Sequence, residues 1–147
     1  MKICIVSSVG GHLTEVRQLR AAYGEFPHFF VLNDRALLSP DMVDSTYTIA
    51  HSERDWRFLL NLWEAYSILR RERPDVILST GAGPVVPFAI IGRVFFRTTV
   101  IYVETITKIH EPSLTGRFMK HLANKVFYQW ESLRRFFPGG EYGGPLV

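Results

Sequence analysis

Residues 2–12 read Lys-Ile-Cys-Ile-Val-Ser-Ser-Val-Gly-Gly-His. The apolar run at 3–7 has the continuous hydrophobicity of a strand buried on both faces, as in a parallel sheet. It leads through Ser8, Val9, Gly10, Gly11 and His12 into Leu-Thr-Glu-Val-Arg-Gln-Leu at 13–19, which has helical periodicity. A strand, a glycine turn and a helix start are the parts from which α/β folds build a ligand site. Glycines let backbone approach a ligand. The first N–H groups of the helix favour an anionic or strongly polar group. His12 stands where such a ligand would lie.

The same alternation continues along the chain. It predicts strands at 2–7, 28–32, 46–50, 75–79, 98–103 and 126–128, and helices at 13–23, 55–73, 84–95, 113–123 and 131–137. Asp55 near the start of the long helix and Arg70, Arg71 and Arg73 at its end follow the order the helix dipole favours, and Pro74 stops it. Ser113 is a candidate cap, and Pro84 suits a first helical turn. Residues 33–44 form a polar connection with Ser39, Pro40 and Asp41 as a turn signal. Residues 138–147 are glycine-rich and extended, resembling a severed linker or an edge awaiting a partner. The expected fold class is α/β: a single Rossmann-like domain over 1–147, with a mostly parallel sheet and helices on both faces. Loops after the first, fourth and fifth strands then gather at the carboxyl edge, where such folds bind ligands.

Composition narrows the class. A chain of 147 residues with 47% hydrophobic and 21% charged content is a globular domain of ordinary size. The single Cys4 falls inside the first strand, so it reads as a buried small hydrophobe and no intrachain disulfide can form. The most apolar segment, 84–96, is interrupted by Arg93 and is short of the ~18 residues a membrane span needs. A net charge of +3 permits attraction to anionic lipid or phosphate but is far from the basic stripe of a nucleic-acid binder, so no nucleic-acid partner is expected.

Several residue groups carry chemistry. The dinucleotide pattern G-x-G-x-x-G is absent, which disfavours NAD and FAD. Gly10, Gly11 and His12 read either as a tight turn or as a ligand loop, in which a neutral imidazole accepts a hydroxyl proton. Thr80, Gly81, Ala82, Gly83 and Pro84 read equally as a compact connection or a diphosphate seat. Glu104 ends a strand and can bind a sugar hydroxyl, orient His12 or cap the next helix; His110 and Glu111 share its loop. His28, His51, His110 and His121 lack metal-ligand spacing, so no metal is expected. Gly-x-Ser-x-Gly is absent. The helix at 55–73 has more apolar residues than one core stripe requires. It is either widely buried or turns Trp56 and Trp63 to a membrane surface, as do Phe95 and Phe96 between Arg93 and Arg97.

The loop Ser-Ser-Val-Gly-Gly-His at 7–12 resembles the Gly-Gly-Thr-Gly-Gly-His loop of MurG-like GT-B glycosyltransferases, with serines at the first two positions. The blocks at 74–84, 103–107, 113–116, 127–130 and 141–144 together resemble the acceptor and membrane subunit of a split glycosyltransferase. Such subunits act in the eukaryotic dolichol pathway and, as PssD-type proteins, in bacterial exopolysaccharide assembly. The resemblance covers essentially the whole chain.

It implies the amino-terminal half of a GT-B enzyme, inactive alone and completed by a PssE-type partner that holds a UDP-sugar. It implies a polyprenyl-diphosphate-linked sugar as acceptor, at the cytoplasmic face of the membrane. No metal or cofactor is implied, because inverting GT-B transfer needs none. It places Ser8, Gly10, Gly11, Thr80, Gly81 and Gly83 at the acceptor, and His12 and Glu104 at the chemistry. Tyr142, Gly143, Leu146 and Val147 are expected at the partner interface. The eukaryotic subunit carries an N-terminal membrane anchor, whereas this sequence starts at its first strand, so a peripherally bound prokaryotic protein is expected. Two other readings stay open: a noncatalytic scaffold that orients its partner, and a nucleotide-binding single-domain enzyme.

Overall fold

The computed structural model describes residues 1–33, 45–50 and 56–146. The strands are β1 (Ile3–Ser7), β2 (His28–Leu32), β3 (Thr46–Thr48), β4 (Val76–Ser79), β5 (Thr99–Val103), β6 (Lys125–Tyr128) and β7 (Glu141–Tyr142). They form one sheet in the order β3-β2-β1-β4-β5-β6-β7, and every neighbouring pair is parallel. Ile3 of β1 pairs with His28 on one side and Val76 on the other. The strand order therefore reverses between β1 and β4, which opens a crevice at their carboxyl ends.

The helices are α1 (Gly11–Gln18), α2 (Arg20–Tyr23), α3 (Arg57–Glu72), α4 (Val85–Phe96) and α5 (Leu114–Leu122). Alternation along each strand divides the apolar side chains between the two faces. Cys4, Val6, Val31, Ile77, Val100 and Tyr102 join Leu69, Phe88 and Met119 in one core cluster, under α3, α4 and α5. Ile3, Ile5, Phe30, Leu32 and Leu78 join Leu13, Val16 and Tyr23 in the other, under α1 and α2. Each fully buried large side chain adds roughly 1.5–3 kcal/mol relative to exposure.

The second face is only partly covered. Beyond α1 and α2, the sheet residues Val76, Leu78, Ile101, Val103 and Phe127 line an apolar groove of about 380 Å³, bordered by Gly143, Gly144 and Leu146.

The structure departs from the expected elements at definite points. The first helix starts at Gly11, two residues early, and is split at Leu19. There the chain tightens: the Leu19 N–H bonds the Val16 carbonyl at 3.1 Å while its side chain packs on the second cluster. Residues Glu131–Phe136 form a 3-10 helix, not an α-helix. The third strand stops at Thr48. The extended tail pairs with β6 as a seventh strand, so it is part of the sheet and not a detached linker, and it forms the sheet's edge on that side. The long helix ends as expected, with Arg73 in the left-handed region (φ 48°) before Pro74. Asp55, His51, the connection at 34–44 and Val147 lie outside the described residues.

Candidate active site

Three loops meet at the carboxyl edge, and side chains tie them together. After β1, Gly10 takes φ 98°, a conformation that favours glycine, and turns the chain into α1. Among the described residues no side chain caps this helix, which leaves its first N–H groups to an anionic partner. A Cβ at Gly10, Gly11 or Gly83 would meet open space. The backbone at these positions is therefore open to approach.

His12 sits in the first turn of α1 and is half-buried. Its Nδ1 lies 3.2 Å from the Thr80 carbonyl, and the Thr80 hydroxyl donates back to the His12 carbonyl at 2.8 Å. A carbonyl only accepts, so Nδ1 carries the proton of this contact and Nε2 of the neutral ring is left as the acceptor. The buried Thr80 side chain is thus spent on holding His12. Ser79 braces the same turn: its hydroxyl donates to the Gly81 carbonyl at 2.8 Å and accepts from the Gly81 N–H at 3.2 Å. Gly81 (φ +126°) lies against the imidazole ring.

Glu104 is fully buried. Its Oε1 accepts from the Thr105 N–H at 3.0 Å and the Tyr102 hydroxyl at 3.2 Å, and its Oε2 accepts from the Ser113 N–H at 3.1 Å. Ser113 caps α5 by accepting from the Gly116 N–H at 2.9 Å. Burial, reinforced by the Glu104 charge, pushes the Tyr102 hydroxyl well above its ordinary pKa and keeps it a donor. The structure does not bring Glu104 to His12; the carboxylate anchors the β5–α5 loop instead. In that loop, Glu111 pairs with Arg117 at 3.3 Å, on the surface, and His110 is exposed.

Sequence reasoning missed Glu15. It follows His12 by three positions on α1 and is 6% exposed. Its Oε1 accepts from the Thr105 hydroxyl at 2.7 Å and the Ile106 N–H at 3.2 Å. Its Oε2 is buried without a hydrogen-bond partner among the described residues. The only available signal was its position one turn from His12. Trp130 and Gln129, just past β6, complete the frame by donating to the carbonyls of Ile106 (2.7 Å) and Glu104 (3.0 Å). Among the described residues no group of three or more His, Cys, Asp or Glu could hold a metal ion.

The outer surface of α3 and α4 differs in character. Trp56, Trp63 and Phe95 are 68%, 69% and 61% exposed, and Leu59, Leu60 and Val94 are exposed beside them. Tyr66 joins the two helices through ring contacts to Phe95 and Phe96, and Arg73 stacks on Phe96 at 5.5 Å. Arg93 donates to the Leu122 carbonyl, and Arg97 is exposed at the helix end. Among the described residues no helix is long and apolar enough to cross a membrane.

Sheet order, switch-point crevice and glycine loops define the Rossmann-like half-domain of the GT-B class. The fold matches crystalline MurG from Acinetobacter baumannii with a TM-score of 0.75 at 11% identity, over 97% of this chain and 45% of that one. The chain thus spans less than half the length of that structure. A family model for "Oligosaccharide biosynthesis protein Alg14 like" matches residues 43–146, more than half of the sequence. The chain belongs to the Alg14-like family. It is 22% identical to the human UDP-N-acetylglucosamine transferase subunit ALG14, over 100% of this chain and 83% of that protein. A further match, 30% identical over 48% of this chain and 18% of the relative, is the UDP-N-acetylglucosamine–N-acetylmuramyl-(pentapeptide) pyrophosphoryl-undecaprenol N-acetylglucosamine transferase of Nitrosospira multiformis.

Proposed function

We propose that this chain is the acceptor-binding and membrane-associating subunit of a two-component inverting glycosyltransferase. It transfers a sugar from a UDP-sugar, held by a separate donor-binding polypeptide, to a polyprenyl-diphosphate-linked saccharide. The carrying observation is the His12 ring, fixed through Nδ1 so that Nε2 is left to accept a proton beside an open, glycine-lined helix start. In the transfer, Nε2 takes the proton of the acceptor hydroxyl as its oxygen bonds the anomeric carbon. The bond to UDP breaks with inversion, and UDP leaves on the partner. The acceptor diphosphate meets the N–H groups at Gly10, Gly11 and Gly83, the Gly81 N–H being already given to the Ser79 hydroxyl. Glu104 serves by holding the β5–α5 loop, and Glu15 by joining that loop to α1.

The names of the relatives favour UDP-N-acetylglucosamine as donor and a lipid-linked oligosaccharide as product. A PssD-type role in exopolysaccharide assembly, with a PssE-type partner, uses the same chemistry. The Trp56, Trp63 and Phe95 surface, with Arg93 and Arg97, rests on the cytoplasmic face of the membrane, aromatic groups in the interface and arginines near phosphates, while the half-buried Phe96 packs inward beneath it. The apolar groove, with Gly143, Gly144 and Leu146 at its rim, receives the donor-binding partner, and the exposed Tyr142 lies on the adjoining edge strand.

The test is reconstitution. The chain, a donor-binding GT-B subunit, UDP-N-acetylglucosamine and a polyprenyl-diphosphate sugar are combined in vesicles, and transfer is measured. Transfer by the pair and by neither alone supports the reading. Full activity of this chain alone refutes the two-component assignment. A scaffold role, favoured by the burial of Glu104, predicts wild-type turnover in the His12→Ala complex.

A further inference from the structure

The last described residues reach the carboxyl edge through one buried amide. Gln129 is 1% exposed. Its Nε2 donates to the Glu104 carbonyl at 3.0 Å, and its Oε1 accepts from the Leu146 N–H at 2.8 Å. Turning the amide over would set NH2 against N–H and oxygen against carbonyl, so the two contacts fix a single orientation. One contact is with the C-terminal segment. The other is with the first residue of the loop that Glu15 and Trp130 also hold, at Thr105 and Ile106. Gln129 lines the apolar groove together with Gly143, Gly144 and Leu146. The site loop, the C-terminal segment and the groove thus share one side chain.

We infer that Gln129 is a positioning residue through which the seating of the C-terminal segment, and of whatever fills the groove against it, sets the order of the β5–α5 loop. If the segment lifts away, the Gln129 oxygen loses its donor, and with it the contact that fixes the amide's orientation toward the Glu104 carbonyl. A partner that presses Leu146 into place would have the opposite effect. The value of this coupling to catalysis rests on the acceptor-site reading proposed above; the coupling itself does not.

Hydrogen exchange on the full chain separates the two. Leu146→Pro removes the N–H that Gln129 accepts, and Leu146→Ala keeps it. Loss of one buried hydrogen bond raises local opening about five- to tenfold. The amides of Thr105, Ile106 and Ser113 are expected to exchange faster by that factor in Leu146→Pro, with β1 and β4 unchanged and Leu146→Ala closer to wild type. Gln129→Glu keeps an acceptor for Leu146 but opposes a carboxylate to the Glu104 carbonyl, and is expected to loosen the same amides. Should Gln129→Glu fail to fold, Leu146→Pro decides alone. Faster exchange at 143–146 with wild-type rates at 105–113 overturns the inference.

In the reconstituted pair, with the partner subunit at saturating concentration so that altered docking at Leu146 does not enter, Leu146→Pro is expected to raise KM for the polyprenyl-diphosphate sugar about five- to tenfold and leave the donor KM unchanged. An equal rise in both overturns the positioning role. A wild-type pair without any transfer refutes the acceptor-site reading, while exchange still decides the coupling.

Discussion

The His12 ring packs on Gly81 so closely that a Cβ there would lie 2.7 Å from Cε1 and 2.8 Å from Nδ1. Gly81 also has φ +126°, a region costly for any residue with a side chain. Gly81→Ala is therefore expected to destabilise the fold by about 1–3 kcal/mol and to push the imidazole off the Thr80 carbonyl. Turnover of the assembled enzyme should drop well beyond the change in melting temperature. Wild-type turnover by a folded Gly81→Ala protein would show that the ring's position is irrelevant.

His12 itself gives the sharper experiment. A general base contributes roughly 10²–10⁴ in rate, so His12→Ala should lower kcat by that range with acceptor KM and partner affinity little altered. His12→Gln, which can keep a contact to the Thr80 carbonyl without accepting the proton, should be as slow. Rapid turnover by either variant removes His12 from the chemistry.

Glu104 makes a different prediction, because its carboxylate is enclosed. A Cβ at Gly116 would stand 1.8 Å from Glu104 Oε2, so Gly116→Ala must displace the cap of α5 and should cost several kcal/mol, on the order of severe overpacking. Glu104→Gln turns an NH2 toward one of the N–H donors it now accepts and should cost about 1–3 kcal/mol. Chemical denaturation checks both. Below its melting temperature Glu104→Gln should keep more activity than His12→Ala; the reverse order would make Glu104 the principal catalytic group.

Membrane association is checked on vesicles. Trp63 and Phe95 are expected to bury apolar area in the interface, and each is worth roughly 1.5–3 kcal/mol if fully buried. Trp63→Glu or Phe95→Glu should weaken sedimentation with anionic vesicles by about tenfold or more and leave the melting temperature close to wild type. Unchanged binding in both variants argues that this surface faces something other than lipid.

A pH effect follows from the amino edge of the sheet. Lys2 Nζ donates to Glu72, as does the Tyr47 hydroxyl, and these contacts hold the Glu72 carboxyl below its ordinary range. A lowered folded-state pKa contributes stability above the unfolded value, which is lost as the pH falls through the folded value. The urea midpoint should thus decline from about pH 5 downward, and Glu72→Gln should flatten that part of the decline. An identical pH profile in the variant excludes Glu72 as a source.

Much of this arrangement is legible in the chain. The runs at 3–7 and 75–79 are apolar without alternation, as central parallel strands must be, and both end in glycine turns. These features alone place His12 and Gly81 at one edge of the sheet. Glu15 escapes notice because its partners Thr105 and Ile106 lie 90 and 91 positions away; local pattern does not encode such a contact. Glu104 is visible as a strand end, yet only packing shows it enclosed by Tyr102, Ser113 and Gly116. The strand at Glu141–Tyr142 is too short to carry any periodicity.

The apolar groove over the half-buried Val76, Ile101 and Phe127 has a cellular consequence. Apolar surface that stays wet in the lone chain is what chaperones and proteases recognise. A copy that finds no mate should be short-lived, and its abundance should track the supply of its counterpart. If the groove is where the donor-binding subunit docks, as proposed above, degradation of unpaired copies would match the amounts of the two polypeptides.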